Sequence, residues 1–148
     1  MKQQPVIAVI GLGYVGLPLA TAFSDKYRVI GYDVNKERIV QLNNGVDATQ
    51  EVSAAVLMGA KNLTLTHNSN DIAEATIFIV TVPTPLTPNN LPDLSFLTAA
   101  SELVGKHIQP GGIVVYESTV YPGCTEEVCV PVVEQHSGLV FNHDFFVG

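Results

Sequence analysis

Gly11, Gly13 and Gly16 stand at a Gly-x-Gly-x-x-Gly spacing, and Asp33 follows twenty residues after Gly13. Glycines so placed let backbone N–H groups come close to an anion. An acid at that distance can accept hydrogen bonds from ribose hydroxyls. Gly11 permits a sharp turn, Gly13 leaves room for a pyrophosphate, and Gly16 lets a helix pack closely on a strand. A helix starting here offers unpaired N–H groups on Tyr14, Val15 and Gly16, and its dipole adds roughly half a positive charge at that end. Asp33 would repel a 2′-phosphate, which favours NAD over NADP, although Lys36 and Arg38 soften that repulsion.

These residues need particular elements around them. Val6–Ile10 reads as a buried strand, 14–25 as a helix, and Val29–Tyr32 as a second strand ending at Asp33. Helices are expected over 36–42, closed by Asn43-Asn44-Gly45, and over 51–58, closed by Gly59. Short strand 63–66 and one or two helical turns over 71–75 precede a strong buried strand, 77–82. Four of the nine prolines then fall within Pro83–Pro92, a rigid loop at the carboxyl end of that strand. Asp93 is expected to cap a helix over 94–107, with Leu97, Ala100, Leu103 and Val104 turned inward. Gly111-Gly112 leads to a strand over 113–117. A helix after Gly123 should be kinked or split by Pro131, and 141–147 reads as a sixth strand.

Strands alternating with helices predict an α/β fold, a doubly wound, mostly parallel six-stranded Rossmann sheet with helices on both faces, in strand order 3-2-1-4-5-6. Right-handed crossovers bring the strand C-termini to one edge. The glycine turn, the proline loop and Ser118-Thr119 would share that edge, with the cofactor where the strand order reverses.

Bulk properties agree. The 148 residues fit one domain, residues 1–148, with 47% hydrophobic and 14% charged residues. A net charge of −7 argues against nucleic acid as a partner, and leaves anion binding to local groups. No apolar run of about twenty residues could span a membrane. Ala20-Thr21-Ala22 behind an uncharged stretch imitates a secretory cleavage site, but three glycines and Pro18 interrupt the apolar region. Cys124 and Cys129, five apart, are expected on different sides of a helix. The four histidines show no metal spacing. No metal is expected, and a cytoplasmic, cofactor-dependent protein is the simplest class.

Three segments carry a resemblance. Ile10-Gly11-Leu12-Gly13-Tyr14-Val15-Gly16-Leu17-Pro18-Leu19-Ala20, Val82-Pro83-Thr84-Pro85 and Glu117-Ser118-Thr119-Val120-Tyr121-Pro122-Gly123 resemble, in order, motifs of the UDP-glucose/GDP-mannose dehydrogenase family. The chain is most similar to the branch acting on UDP-N-acetylhexosamines, of the Vi-polysaccharide type. The resemblance implies oxidation of a UDP-sugar C6 alcohol to a carboxylate with two NAD+, by way of a catalytic cysteine. It implies that this cysteine, a central helix and the nucleotide-sugar domain lie outside these residues, in a full-length homodimer. Residue by residue it implies pyrophosphate contacts from Gly11, Gly13, Tyr14, Val15 and Gly16, and ribose contacts from Asp33. Arg38 would lie beside Asp33 on the adenine or phosphate side. Thr84 would touch the cofactor from the proline loop. Thr119 would face the nicotinamide and help position a water or the substrate hydroxyl, a supporting catalytic role. Glu117 stands where many UDP-glucose members carry a base, and reads as a packing or capping acid.

Other readings compete. A free-standing, non-catalytic NAD module would share the fold, because function lies in the site. Cys124, near a helix start, imitates a nucleophile but does not match the family's cysteine motif. Tyr116 and Tyr121 flank Ser118-Thr119, yet no tyrosine has the lysine four residues on that short-chain dehydrogenases need.

Overall fold

Val6–Ile10 forms β1, the central strand, and its near-continuous burial follows from an apolar pentapeptide covered on both faces. The computed structural model describes residues 3–148. From β1 the chain passes through α1 (Gly16–Phe23), β2 (Arg28–Tyr32), α2 (Lys36–Asn43), α3 (Ala54–Gly59), β3 (Leu63–Thr66), β4 (Ile77–Val80), α4 (Ser95–His107), β5 (Ile113–Tyr116), α5 (Val130–Ser137) and β6 (Phe146–Val147). The sheet order is β3-β2-β1-β4-β5-β6, with every strand pair parallel. This is the doubly wound Rossmann arrangement.

Two apolar layers clothe the sheet. One packs Leu17 and Ala20 of α1, Ile39 and Leu42 of α2 and Leu57 of α3 against Ile7, Val9 and Val29. The other packs Leu97, Ala100 and Val104 of α4 and Val130 and Val133 of α5 against Ala8, Ile30, Phe78 and Val114. Leu103 is only partly buried.

Several boundaries differ from expectation, each for a local reason. The helix expected from Tyr14 begins at Gly16, because 13–15 form a turn. The helix expected from Glu51 begins at Ala54, where Ser53 Oγ accepts from the Val56 N–H. The turn expected over 71–75 is a 3-10 turn at Ser69–Ile72, after Asn68. Asp93 lies one residue before the α4 cap, Leu94, yet still accepts from the Ser95 N–H. The strand expected over 141–147 keeps only Phe146–Val147. Asn142 takes a positive φ of 62°, and Asp144 folds back to accept from the Val140 N–H.

Pro131 splits its helix as expected. It lacks the N–H for an i−4 bond, and the preceding turn, Thr125–Cys129, is widened into a π turn. That widening corrects the expected separation of the cysteines. Residues five apart come near one face, so Cys124 and Cys129 are both fully buried in one apolar layer. Neither can serve a substrate at the surface. Among the described residues, no helix is long and apolar enough to cross a membrane.

Candidate functional site

A groove of about 760 Å³ runs along the carboxyl edge of the sheet. Its walls are the turn after β1 (Gly11–Val15), the end of β2 (Tyr32–Val34), the loop after β4 (Thr81–Thr84), the exit of β5 (Glu117–Thr119) and one side of α4. The strand order reverses here, where β1 meets β4, and the three segments expected to share an edge do so.

The glycine turn has little freedom. Gly11 adopts φ +95°, and its N–H donates to the Tyr32 carbonyl at 2.9 Å. A Cβ on Gly16 would lie 1.7 Å from the Gly11 oxygen and 2.4 Å from Thr81 Oγ1. Gly13 is different, since a Cβ there would meet nothing within 4 Å. The missing side chain at Gly16 is filled by the protein itself, and at Gly13 it leaves open space in the groove.

Helix α1 begins without a protein cap. Val15 occupies the cap position and supplies no side-chain hydrogen bond. The N–H groups of Gly13, Tyr14, Val15 and Gly16 donate to nothing among the described residues. Four unpaired donors at one turn call for an acceptor. Tyr14 and Val15 are largely exposed, so their backbone is accessible from the groove.

Asp33 follows β2 directly, with both oxygens already engaged. Oδ2 accepts from the Leu12 N–H and Oδ1 from the Asn35 N–H, each at 2.9 Å. A carboxylate has about four lone-pair sites, so acceptor capacity remains for ribose hydroxyls. The carboxylate is thus a fixed ligand, held by backbone.

Arg38 is not among the residues that line the groove. Its Nε and Nη2 donate to the Leu12 carbonyl at 2.9 and 2.5 Å, and its Nη1 to Asp47 at 2.8 Å. The Asp47 side chain is 1% exposed. Burial works against its charge. Hydrogen bonds from Thr49, Arg38 and the Val52 N–H outweigh that penalty and hold its carboxyl well below the usual carboxylate range.

Two latches join the other walls. Thr84 Oγ1 donates to the Thr119 carbonyl and Ser118 Oγ to the Val82 carbonyl, each at 2.7 Å. With its proton engaged, the Thr84 hydroxyl presents acceptor lone pairs. Thr119 lines the groove beside it. Glu117 also lines the groove and is exposed. Its carboxylate accepts no hydrogen bond among the described residues, contrary to the packing or capping role expected of it.

Sequence reasoning missed Thr81. Its Oγ1 donates to the Gly11 carbonyl at 2.6 Å and approaches the Ile10 carbonyl at 3.1 Å, which ties the glycine turn to β4. The one signal was a hydroxyl at the end of an apolar strand. The apolar α4 wall (Phe96, Ala99 and Leu103) was missed as well. Helical periodicity marks the face toward the core and says nothing of a second, groove-facing stripe.

Comparison with known proteins decides the family. The profile of the UDP-glucose/GDP-mannose dehydrogenase family, NAD binding domain, matches residues 5–148. The chain belongs to this family. The UDP-N-acetyl-D-glucosamine 6-dehydrogenase of Pseudomonas aeruginosa is 56% identical over 142 residues, which span 96% of this chain and 34% of that protein. Protein CapL of Staphylococcus aureus is also 56% identical over 142 residues, 96% of this chain and 33% of that protein. The solved UDP-D-ManNAc dehydrogenase of Pyrococcus horikoshii superposes with a TM-score of 0.89 at 37% identity, over 96% of this chain and 35% of that one. The chain therefore spans about a third of the length of the relatives it matches.

NAD is the cofactor of this family domain, and the residues present fit it. Unpaired N–H groups with open space at Gly13 suit a pyrophosphate, and a fixed carboxylate at Asp33 suits a ribose.

Proposed function

We propose that this chain is the NAD-holding third of an enzyme that oxidises the C6 hydroxyl of a UDP-sugar to a carboxylate. UDP-N-acetylglucosamine or a related UDP-N-acetylhexosamine is the substrate, two NAD+ are reduced, and the product enters surface polysaccharide. The observation that carries this reading is the 56% identity to a UDP-N-acetyl-D-glucosamine 6-dehydrogenase across 96% of the chain.

The site residues take these roles. The N–H groups of Gly13, Tyr14, Val15 and Gly16 hold the pyrophosphate, and Gly11 shapes the turn beneath them. Asp33 holds the adenosine ribose, with Arg38 fixing the adjoining backbone. Thr84 accepts from the cofactor, and Thr119 borders the nicotinamide end, where it orders a water or the substrate hydroxyl. When bound, NAD+ supplies the hydride acceptor. The residues of this chain orient it and shield it along the α4 wall. The catalytic cysteine and the nucleotide-sugar site belong to the remaining two thirds of the protein, which works as a homodimer in the cytoplasm.

Two measurements test the reading. Calorimetric titration of the 148-residue chain should show NAD+ binding with clear preference over NADP+, and no steady NADH production from UDP-N-acetylglucosamine. The full-length protein should produce NADH from a UDP-N-acetylhexosamine in a ratio of two per sugar. Binding by the chain without turnover by the full-length protein would instead make it a non-catalytic NAD module.

A further inference from the structure

The glycine turn contains two consecutive peptide planes, and each is held from outside. In the Gly11–Leu12 plane, Thr81 Oγ1 donates to the carbonyl and the N–H donates to Asp33. In the Leu12–Gly13 plane, Arg38 grips the carbonyl with two donors, and the N–H, on Gly13, has no partner among the described residues. A trans peptide is rigid, and its C=O and N–H point in opposite directions. Whatever holds the Leu12 carbonyl therefore aims the Gly13 N–H.

Arg38 is itself held. Its Nη1 donates to Asp47, and the Asp47 carboxylate also accepts from the Thr49 N–H (2.9 Å), Thr49 Oγ1 (2.6 Å), the Glu51 N–H (2.9 Å) and the Val52 N–H (3.0 Å). The pair is nearly enclosed, with side chains 11% and 1% exposed. A buried ion pair is weak evidence of stabilisation, since an apolar pair of similar volume often does as well. It does fix direction. Asp47, held by the 47–52 loop, binds Nη1 on one side of the Arg38 fork while Nε and Nη2 meet the Leu12 carbonyl on the other.

We propose that Asp47, which lines no part of the groove, is a positioning residue for the cofactor. Acting through Arg38, it orients the Leu12–Gly13 peptide so that the Gly13 N–H faces the pyrophosphate. The chain of hold is loop 47–52, Asp47, Arg38, the Leu12 carbonyl and the Gly13 N–H. Each link but the last is a hydrogen bond within the protein. The proposal rests on the NAD+ reading above for the identity of the anion, and on this geometry alone for the wiring.

The test uses the 15N-labelled chain and two readouts. In the ligand-free state, Asp47→Asn and Arg38→Lys should both displace the Gly13 amide resonance, while the β1 amides of Ala8 and Val9 stay in place. In calorimetry, each variant should weaken NAD+ binding about tenfold, the size of one charge-assisted hydrogen bond. Asp47→Asn added to Arg38→Lys should cost less than about twofold more, because residues acting in series do not add. An undisturbed Gly13 resonance in Asp47→Asn would overturn the proposal. So would an equal loss of affinity from Asp47→Asn in both backgrounds, which is the mark of general loosening. If Asp47→Asn gives no dispersed spectrum, Asp47→Glu takes its place, with the same readouts and the same refuting results. A native chain that binds no NAD+ would refute the functional reading, and the Gly13 resonance would still decide the wiring.

Discussion

Gly13→Ala should raise stability and abolish tight cofactor binding. The methyl would meet no atom within 4 Å in the free chain, and Gly13 has no positive φ for a side chain to resist. Replacing glycine where the backbone allows it stabilises by about 0.4–1 kcal/mol, through lost freedom in the unfolded chain. For a chain of this size that is a melting rise of roughly 1–4 °C. The same methyl would stand in the open space beside the unpaired N–H groups. Displacing the pyrophosphate would forfeit at least one hydrogen bond to a charged oxygen, about 1.5–3 kcal/mol, so NAD+ should bind about 10- to 100-fold more weakly. Gly16→Ala is the contrasting control. Its methyl would lie 1.7 Å from the Gly11 oxygen, so the turn must shift, and overpacking should cost about 1–3 kcal/mol of stability as well as affinity. Thermal melts and calorimetric titrations of both variants read the two quantities separately. Native NAD+ affinity in Gly13→Ala would mean that the pyrophosphate lies elsewhere, and the roles of Tyr14 and Val15 would fall with it.

Asp33→Ala should weaken NAD+ by about 1–3 kcal/mol and NADP+ by less; unchanged affinity for both would remove Asp33 as the ribose ligand. Because the folded carboxyl of Asp47 is held below its ordinary value of 3.8, its stabilisation should be complete above that value and lost as pH falls through the lower folded value. Asp47→Asn should therefore be less stable at pH 7 by roughly 3–5 kcal/mol, the range for a buried ion pair left with one member. The gap should persist to pH 5 and narrow below pH 4 in urea melts; a gap independent of pH down to 2.5 would show that the charge is not what matters. Both cysteines are fully buried, and burial pushes the Cys129 thiol up, so thiol reagents should label neither until the chain unfolds, and rapid labelling of the native chain would contradict the packing. The groove is lined by three acids, Asp33, Glu102 and Glu117, against Lys106. Raising salt from about 20 to 300 mM should then leave NAD+ affinity within about threefold, whereas a steep fall would point to side-chain cations as the main donors.

What could be read in advance follows from range. β1, the turn and Asp33 are local signals: an apolar run, three glycines, and an acid one strand later. Their meaning depends on spacing, which the chain preserves on folding. Strand order followed from strand–helix alternation behind a dinucleotide-binding turn, and the shared edge from crossover chirality, neither of which depends on side-chain detail. Thr81 was invisible because its partner, Gly11, lies 70 residues away and threonine is an ordinary strand residue. No motif or spacing singled out Asp47. Only the folded loop brings the N–H groups of Thr49, Glu51 and Val52 around its carboxylate. Strands β4 and β5 end at Val80 and Tyr116, before the expected 82 and 117. Just beyond them the hydroxyls of Thr81 and Ser118 tie in the glycine turn and the proline loop, contacts that propensity cannot see.

These particulars share a logic that the net charge of −7 makes necessary. An acidic chain gains nothing from bulk attraction when it binds an anion, so the favourable field must be local and short in range. Backbone N–H groups at a helix start supply it only if they are left unpaired and aimed. Leaving them unpaired falls to Val15, which cannot cap. Aiming them falls to side chains that grip the turn from behind: Thr81 and Asp33 on one peptide plane, and Arg38 with Asp47 on the next. The carboxylates nearest the turn, Asp33 and Asp47, accept from backbone donors and from Arg38. The acidity of the chain and its anion site are therefore compatible, because Asp33 and Asp47 hold the turn and the turn offers its N–H groups to the ligand.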